Sequence, residues 1–167
     1  MDASAISQII FLIILLILSA FFSSAETALT TVNKIRMRTL ADDGNKRAER
    51  VLRITDDSHK MLSAILIGNN IVNLSASSLA TTLAIKLWGS VGAGIATGIL
   101  TFLILVFGEI SPKTFATLYA DQISIAYSGI IGFLMKILTP VIFLVNQFFH
   151  GLFIFTAYGS KRQTTIR

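Results

Sequence analysis

ISQIIFLIILLILSAFF, residues 6–22, holds no charged side chain, and its reading decides the fold class. A run of about 17–25 apolar residues is what a helix needs to cross the hydrocarbon of a bilayer. Two further charge-free runs follow, Met61 to Ile85 and Val91 to Phe107. Composition agrees with lipid as the solvent: 53% of the 167 residues are hydrophobic and 14% charged, with a mean hydropathy of +0.73, whereas soluble domains carry about 25% charged residues. The expectation is an all-α membrane protein with three transmembrane helices, some of them broken or kinked, plus amphipathic juxtamembrane helices. The expected spans are about 4–32, 58–88 and 90–111, with an amphipathic segment at 33–57, juxtamembrane helices at about 113–158 and a basic tail at 161–167.

The first run ends in Ser23-Ser24-Ala25, small residues like those of a cleavage site, but Asp2 stands where a secretory signal would carry positive charge. A retained helix is therefore expected. Eight of the 14 basic residues (Lys34, Arg36, Arg38, Lys46, Arg47, Arg50, Arg53 and Lys60) fall between the first two spans. By the positive-inside rule that loop is cytoplasmic and the N-terminus outside. The same loop holds Asp42, Asp43, Glu49, Asp56 and Asp57, so the net charge of +5 reads as a mixed-charge helical hairpin on the membrane surface, not a nucleic-acid site.

Beyond Ser23-Ser24-Ala25-Glu26-Thr27 the first segment stays uncharged to Val32. Ser4 to Val32 as one straight helix would be about 43 Å long, against a core of about 30 Å, so a kink, tilt or extension is expected, with Glu26 in the inner half of the membrane. On the second segment Asn69, Asn73, Ser77 and Thr81 repeat every four residues and form one stripe, with Asn70 beside it. Lys86 and Trp88 suit an outer interfacial anchor, and Gly89-Ser90 a short turn. The third segment contains the small-xxx-small pattern Gly94 to Gly98 and ends in Phe107-Gly108-Glu109-Ile110-Ser111-Pro112-Lys113. Pro112 lacks an N–H and crowds the carbonyl of Gly108, so the helix should kink or unwind there and leave carbonyls free.

After Asp121 the chain is apolar again but punctuated by Lys136, Pro140, Asn146, Gln147 and His150. A cytoplasmic basic tail (Lys161, Arg162, Arg167) requires an even number of crossings after the third span. Interfacial helices with no crossing are favoured, because Lys136 would fall mid-membrane; the alternative is two short spans meeting near Thr139-Pro140.

Within the three spans and their inner ends the acids are Glu26 and Glu109, and the nearby base, Lys113, lies past the proline break and can snorkel to water. Neither acid has an assured partner. An unpaired carboxylate at mid-membrane costs about 2.5–3.5 kcal/mol or more, so it must be protonated, hydrated or paired with a cation. With Ser23, Ser24, Asn69, Asn70 and Asn73 the donors are hard oxygens that suit Mg²⁺, Ca²⁺ or Na⁺. The chain has no cysteine, which removes thiolate sites. For each piece there is a plainer account: serines bond back to their own helix or pack small, asparagines glue helices together, and a proline merely bends one. Three asparagines within five residues, beside two acids on neighbouring helices, exceed what glue requires. No phosphate loop, Ser/His/Asp order or paired-histidine motif is present, so an enzyme is not expected.

Ser23-Ser24-Ala25-Glu26-Thr27-Ala28, Gly68-Asn69-Asn70-Ile71-Val72-Asn73 and Phe107-Gly108-Glu109-Ile110-Ser111-Pro112-Lys113 together resemble the membrane domain of the CorC/cyclin M (CNNM) magnesium transporters. The resemblance covers nearly the whole chain. It implies a homodimer with three spans per subunit, a juxtamembrane helical belt, and export of Mg²⁺ with Na⁺ entry as the candidate coupling. By motif, Ser23, Asn69, Asn73 and Glu109 match the positions most widely shared, Glu26 and Asn70 are more typical of bacterial members, and Gly108 supplies a carbonyl or permits the break. The resemblance also implies cytoplasmic CBS-type domains beyond Arg167, so nucleotide regulation is not assigned to these residues. Two rivals stand beside it: a Na⁺- or H⁺-linked carrier of another substrate, and a membrane anchor or dimerisation module for a cytoplasmic domain.

Overall fold

The computed structural model describes residues 3–163; Asp2 and Arg167 lie outside the described residues, as do the side chains of Asn146, His150, Lys161 and Arg162. Six α-helices and one π-helical segment follow in order: α1 (Ala3–Thr31), α2 (Lys34–Asp42), α3 (Lys46–Asp56), α4 (Ser58–Leu103), the π-segment (Ile104–Ile110), α5 (Ser111–Leu118) and α6 (Ala120–Gln163). There is no strand among the described residues.

Caps set the boundaries of the charged hairpin. The Asn33 side chain accepts from the N–H of Ile35 and Arg36, Asn45 does the same for Arg47 and Ala48, and Asp57 accepts from Lys60. Each short polar side chain thus satisfies backbone donors that a starting helix leaves free. Between α2 and α3, Gly44 takes φ +89°, and the bonds from Gly44 N to Ala41 O and Asn45 N to Leu40 O close the helix end as a Schellman motif. Lys34–Asp42 and Lys46–Asp56 thus form a short helical hairpin.

α4 is two antiparallel limbs joined at Gly89, whose φ of +71° and ψ of −167° only glycine adopts readily. The first limb runs against α1. Lys86 Nζ donates to Ser4 Oγ at 2.7 Å, and Gly68 lies against the ring of Phe22. These two contacts are separated by the same number of residues on both helices, which fixes an antiparallel register. Lys86 therefore bonds α1 in addition to marking the helix end. Gly94 and Gly98 have open space where a side chain would stand, so their small-residue face is unused within the protomer.

Four helices, Ser4–Thr31, Ser58–Gly89, Gly92–Leu118 and Ala120–Leu144, have the length and apolarity to cross a membrane, one more than the three expected. The fourth belongs to α6, which passes straight through Pro140, so two short spans turning there are not formed. Isolated apolar runs on either side of Lys136 look short in sequence; joined as one helix they are not. The arrangement is that of a multi-pass membrane protein. Ile10, Ile13, Ile17, Ile95, Ile99 and Phe102 are all exposed, as lipid-facing side chains should be.

The buried core sits at the other end. Leu29, Met37, Val51, Met61, Ile65 and Ile131 are fully buried where α1, the α2–α3 hairpin, α4 and α6 meet. α6 is docked on the hairpin: Asp121 pairs with Arg36 at 3.2 Å and accepts from Asn33 N at 3.1 Å, Gly129 lies by Arg50, and Gly132 by Ile54. Phe21 of α1 meets Tyr127 with ring centroids 4.5 Å apart.

Candidate cation site

The site begins on the inward face of α1, where Ser19, Ser23 and Glu26 recur at helical spacing. Ser19 and Ser23 are each 1% exposed, and the hydroxyl oxygen of each has no hydrogen-bond partner among the described residues. Ser24 differs. Its hydroxyl donates back to the carbonyls of Ala20 (2.7 Å) and Phe21 (3.0 Å), and it lines a different face. Ser24 thus bonds back to its own helix, whereas Ser23 packs as a small buried residue without such a bond among the described residues.

Opposite, on α4, the register set by Ser4–Lys86 and Phe22–Gly68 puts Asn69 and Asn73 on either side of the level of Ser19. Both are half-buried. Asn73 Nδ2 donates to Asn69 Oδ1 at 3.5 Å, leaving Asn73 Oδ1 buried and without a partner among the described residues. A buried amide oxygen in that state costs about 1–3 kcal/mol unless something outside the fold satisfies it. Asn70, one residue round the helix, is exposed on the protomer and does not join the other two.

The third wall is the π-segment. Instead of unwinding at Pro112, the chain inserts an extra residue per turn over Ile104–Ile110, and Ser111 N bonds Val106 O five residues back. Such π-bulges concentrate at functional sites. Pro112 has no N–H to offer the carbonyls of Phe107 and Gly108. The expected loss of helix thus resolves into a wider helix, with Pro112 in the first turn of α5. Gly108 is buried, and a Cβ added to it would lie 2.9 Å from Ser19 Oγ. The absent side chain is what allows the π-segment to touch α1.

Helical continuity through Pro112 has a second consequence. Glu109 and Lys113 share one face at i, i+4, and Lys113 Nζ lies 3.3 Å from Glu109 Oε1 and 3.5 Å from Glu26 Oε2. The sequence expectation that neither acid has an assured partner is corrected: both face the same ammonium. The expected break would have turned Lys113 away, and no break occurs.

Among the described residues no three His, Cys, Asp or Glu side chains converge as a metal-binding group. The donors are hydroxyls, amides and carbonyls with two carboxylates at the hairpin end, which is oxygen chemistry of low charge. A cleft of about 510 Å³ lies between α1, α5 and α6, lined mostly by apolar side chains such as Phe21, Phe107, Phe115 and Tyr127. It holds none of the asparagines or glutamates.

Residues 10–167 match the cyclin M transmembrane N-terminal domain. The chain belongs to this family. Similar proteins include a UPF0053 protein of Haemophilus influenzae, 46% identical over 91% of this chain and 36% of its own length. The UPF0053 inner membrane protein YfjD of Escherichia coli is 41% identical over 77% of this chain and 30% of its length. A chloroplastic DUF21 domain-containing protein of Arabidopsis thaliana is 38% identical over 80% and 20%. The chain thus spans about a third or less of the length of these relatives.

Set on the cyclin M domain, the three motifs that sequence singled out fall on three touching elements, α1, α4 and the π-segment. Ser23, Glu26, Asn69, Asn73, Gly108 and Glu109 lie on these elements, with Gly108 against Ser19 and with Glu26 and Glu109 sharing Lys113, whereas Ser24 bonds back within its own helix and Asn70 is exposed. Ser19 and Lys113 were missed. Ser19 stands four residues before Ser23, a spacing that could have placed it on the same face.

Proposed function

We propose that this cyclin M domain transports Mg²⁺, binding the ion within the membrane between α1, α4 and the π-segment and exporting it in exchange for Na⁺. The observation that carries this is the set of buried, unpartnered oxygens: Ser19 Oγ, Ser23 Oγ and Asn73 Oδ1. Native folds rarely leave such groups unpaired, and each calls for a partner such as a water or an ion. Three on two facing helices, with the carboxylate of Glu109 on the adjoining π-segment, suit a hard cation. Mg²⁺ dehydrates reluctantly and favours few charges plus retained water, which matches amides and hydroxyls better than a cage of carboxylates would.

The anchor reading is weaker on this geometry. Asparagines acting as glue would bond across helices, yet Asn73 bonds Asn69 on its own helix. In the transporter reading the charged hairpin is cytoplasmic, and the domain sits as a homodimer in the cell membrane, using surfaces such as Gly94, Gly98 and Asn70 that the protomer leaves open. The basic hairpin holds α6 from Asp121 to Gly132, which supports α6 as an interfacial belt, not a fourth crossing. The inner-membrane designation of the Escherichia coli relative fits the location, and the greater length of the relatives fits regulatory CBS-type cytoplasmic domains.

Thermal unfolding in detergent tests the ion's identity. Mg²⁺ at millimolar concentration should raise the midpoint well above the effect of equal Na⁺ or Ca²⁺, because a ligand bound only by the native state stabilises it by mass action. Equal shifts from all three ions would favour a carrier of another substrate.

A further inference from the structure

Lys113 is in the wrong place for a residue that merely marks the membrane surface. Its ammonium stands between Glu26 of α1 and Glu109 of the π-segment, at 3.5 and 3.3 Å. All three side chains are partly exposed, Lys113 by 36%, Glu26 by 29% and Glu109 by 43%. Beside this triad, Ser23 precedes Glu26 by one turn with its buried hydroxyl unpartnered. The triad carries two negative charges and one positive, and both separations exceed the 2.7–2.9 Å of a well-formed charge-assisted bond, about 0.5 Å longer. The ammonium is shared between the carboxylates and locked to neither.

We propose that Lys113 is a tethered counter-ion that holds, between Glu26 and Glu109, the place a divalent cation takes during transport. The inference rests on the transporter reading above and adds a residue and a step to it. In the ion-free state the ammonium neutralises one of two facing carboxylates and keeps them together. A divalent ion entering the same space neutralises both and repels the ammonium, which swings out on its flexible stem towards water, as a lysine near a helix end can do. When the ion leaves, the ammonium returns and prevents immediate rebinding. A monovalent ion brings no more charge than the ammonium and displaces it poorly. Lys113 therefore acts as a positioning and specificity residue: it weakens ion binding in order to permit release and favours divalent over monovalent cargo.

The test is Mg²⁺ binding by calorimetry to the whole chain in nanodiscs, with Lys113→Gln, Lys113→Arg and Asn73→Ala. Lys113→Gln should bind Mg²⁺ about threefold to tenfold more tightly, the scale of one partly exposed charge interaction, and discriminate less against Na⁺. Lys113→Arg, with a planar fork that grips carboxylates in pairs, should bind more weakly. Unchanged or weaker binding by Lys113→Gln, while Asn73→Ala abolishes binding, overturns the counter-ion and leaves the transporter. Absence of Mg²⁺ binding to the unaltered chain overturns both. Amine acylation of the unaltered chain, read by mass spectrometry, gives an answer that needs no variant: Mg²⁺ should raise labelling of Lys113 relative to Lys34 and Lys60. Labelling of Lys113 that does not change with Mg²⁺ overturns the proposal.

Discussion

Gly108 of the π-segment rests on Ser19 of α1 so closely that a Cβ on the glycine would stand 2.9 Å from the serine hydroxyl oxygen and 3.3 Å from its Cβ. This contact joins the widest helical turn of the fold to a buried, unpartnered hydroxyl. Gly108→Ala must push the two elements apart, and overpacking of this kind costs about 1–3 kcal/mol. The variant should melt earlier in detergent, and Ser19→Ala, which removes the nearer atom, should restore part of the loss. An unshifted midpoint for Gly108→Ala would show that the contact yields freely.

The second close approach, Gly68 against Phe22, sets the register of α1 on α4. A Cβ there would lie 2.6 Å from two ring carbons. Gly68→Ala should destabilise the fold, and combining it with Phe22→Leu should cost less than the two changes summed, with a coupling of about 0.5–3 kcal/mol. Additive effects would place the ring elsewhere.

Adjacent serines should behave as opposites. Ser23→Ala removes a buried hydroxyl that has no partner, so the fold should keep its stability or gain up to about 1 kcal/mol, while Mg²⁺ flux falls severely. Ser24→Ala removes only a bond within its own helix and should leave flux near normal. Flux assays paired with melting curves on both variants decide this, and equal flux in the two would contradict it.

At the other end, Asp121 ties the start of α6 to the hairpin through Arg36 and through Asn33 N. Arg36 is exposed, so Arg36→Ala should cost less than about 1 kcal/mol and its effect should fade with salt. Asp121→Ala loses the backbone bond as well and should cost about 1–2 kcal/mol, with faster amide exchange at Asn33. Identical behaviour of the two variants would mean that the backbone bond contributes nothing.

Much of this was legible in residue order. The runs 6–22, 61–85 and 91–107 foretold helices in lipid because nothing else buries so much apolar surface, and Gly89 foretold the reversal because only glycine tolerates its backbone angles. The four-residue stripe placed Asn69 and Asn73 on one helix face, where the structure shows them bonded to each other. What sequence could not supply was geometry that depends on continuity. Pro112 was expected to break the helix, but the π-segment absorbs the missing N–H and keeps the helix going. That continuity, invisible in composition, returns Lys113 to both glutamates. Likewise Ser24 and Ser23 are the same residue type side by side, and only their helical phase separates a back-bonded hydroxyl from a free one. The number of candidate crossings differed because α6 runs unbroken through Pro140.

The central claim is that oxygens on α1, α4 and the π-segment form a Mg²⁺ pathway through the bilayer. Mg²⁺ flux into liposomes carrying the whole chain, recorded with an enclosed Mg²⁺-sensitive dye, tests it most directly when Asn73→Ala is compared with the unaltered protein. The account predicts saturable flux by the unaltered chain and its loss in Asn73→Ala, with the variant still folded by circular dichroism. Equal flux in the two would contradict it.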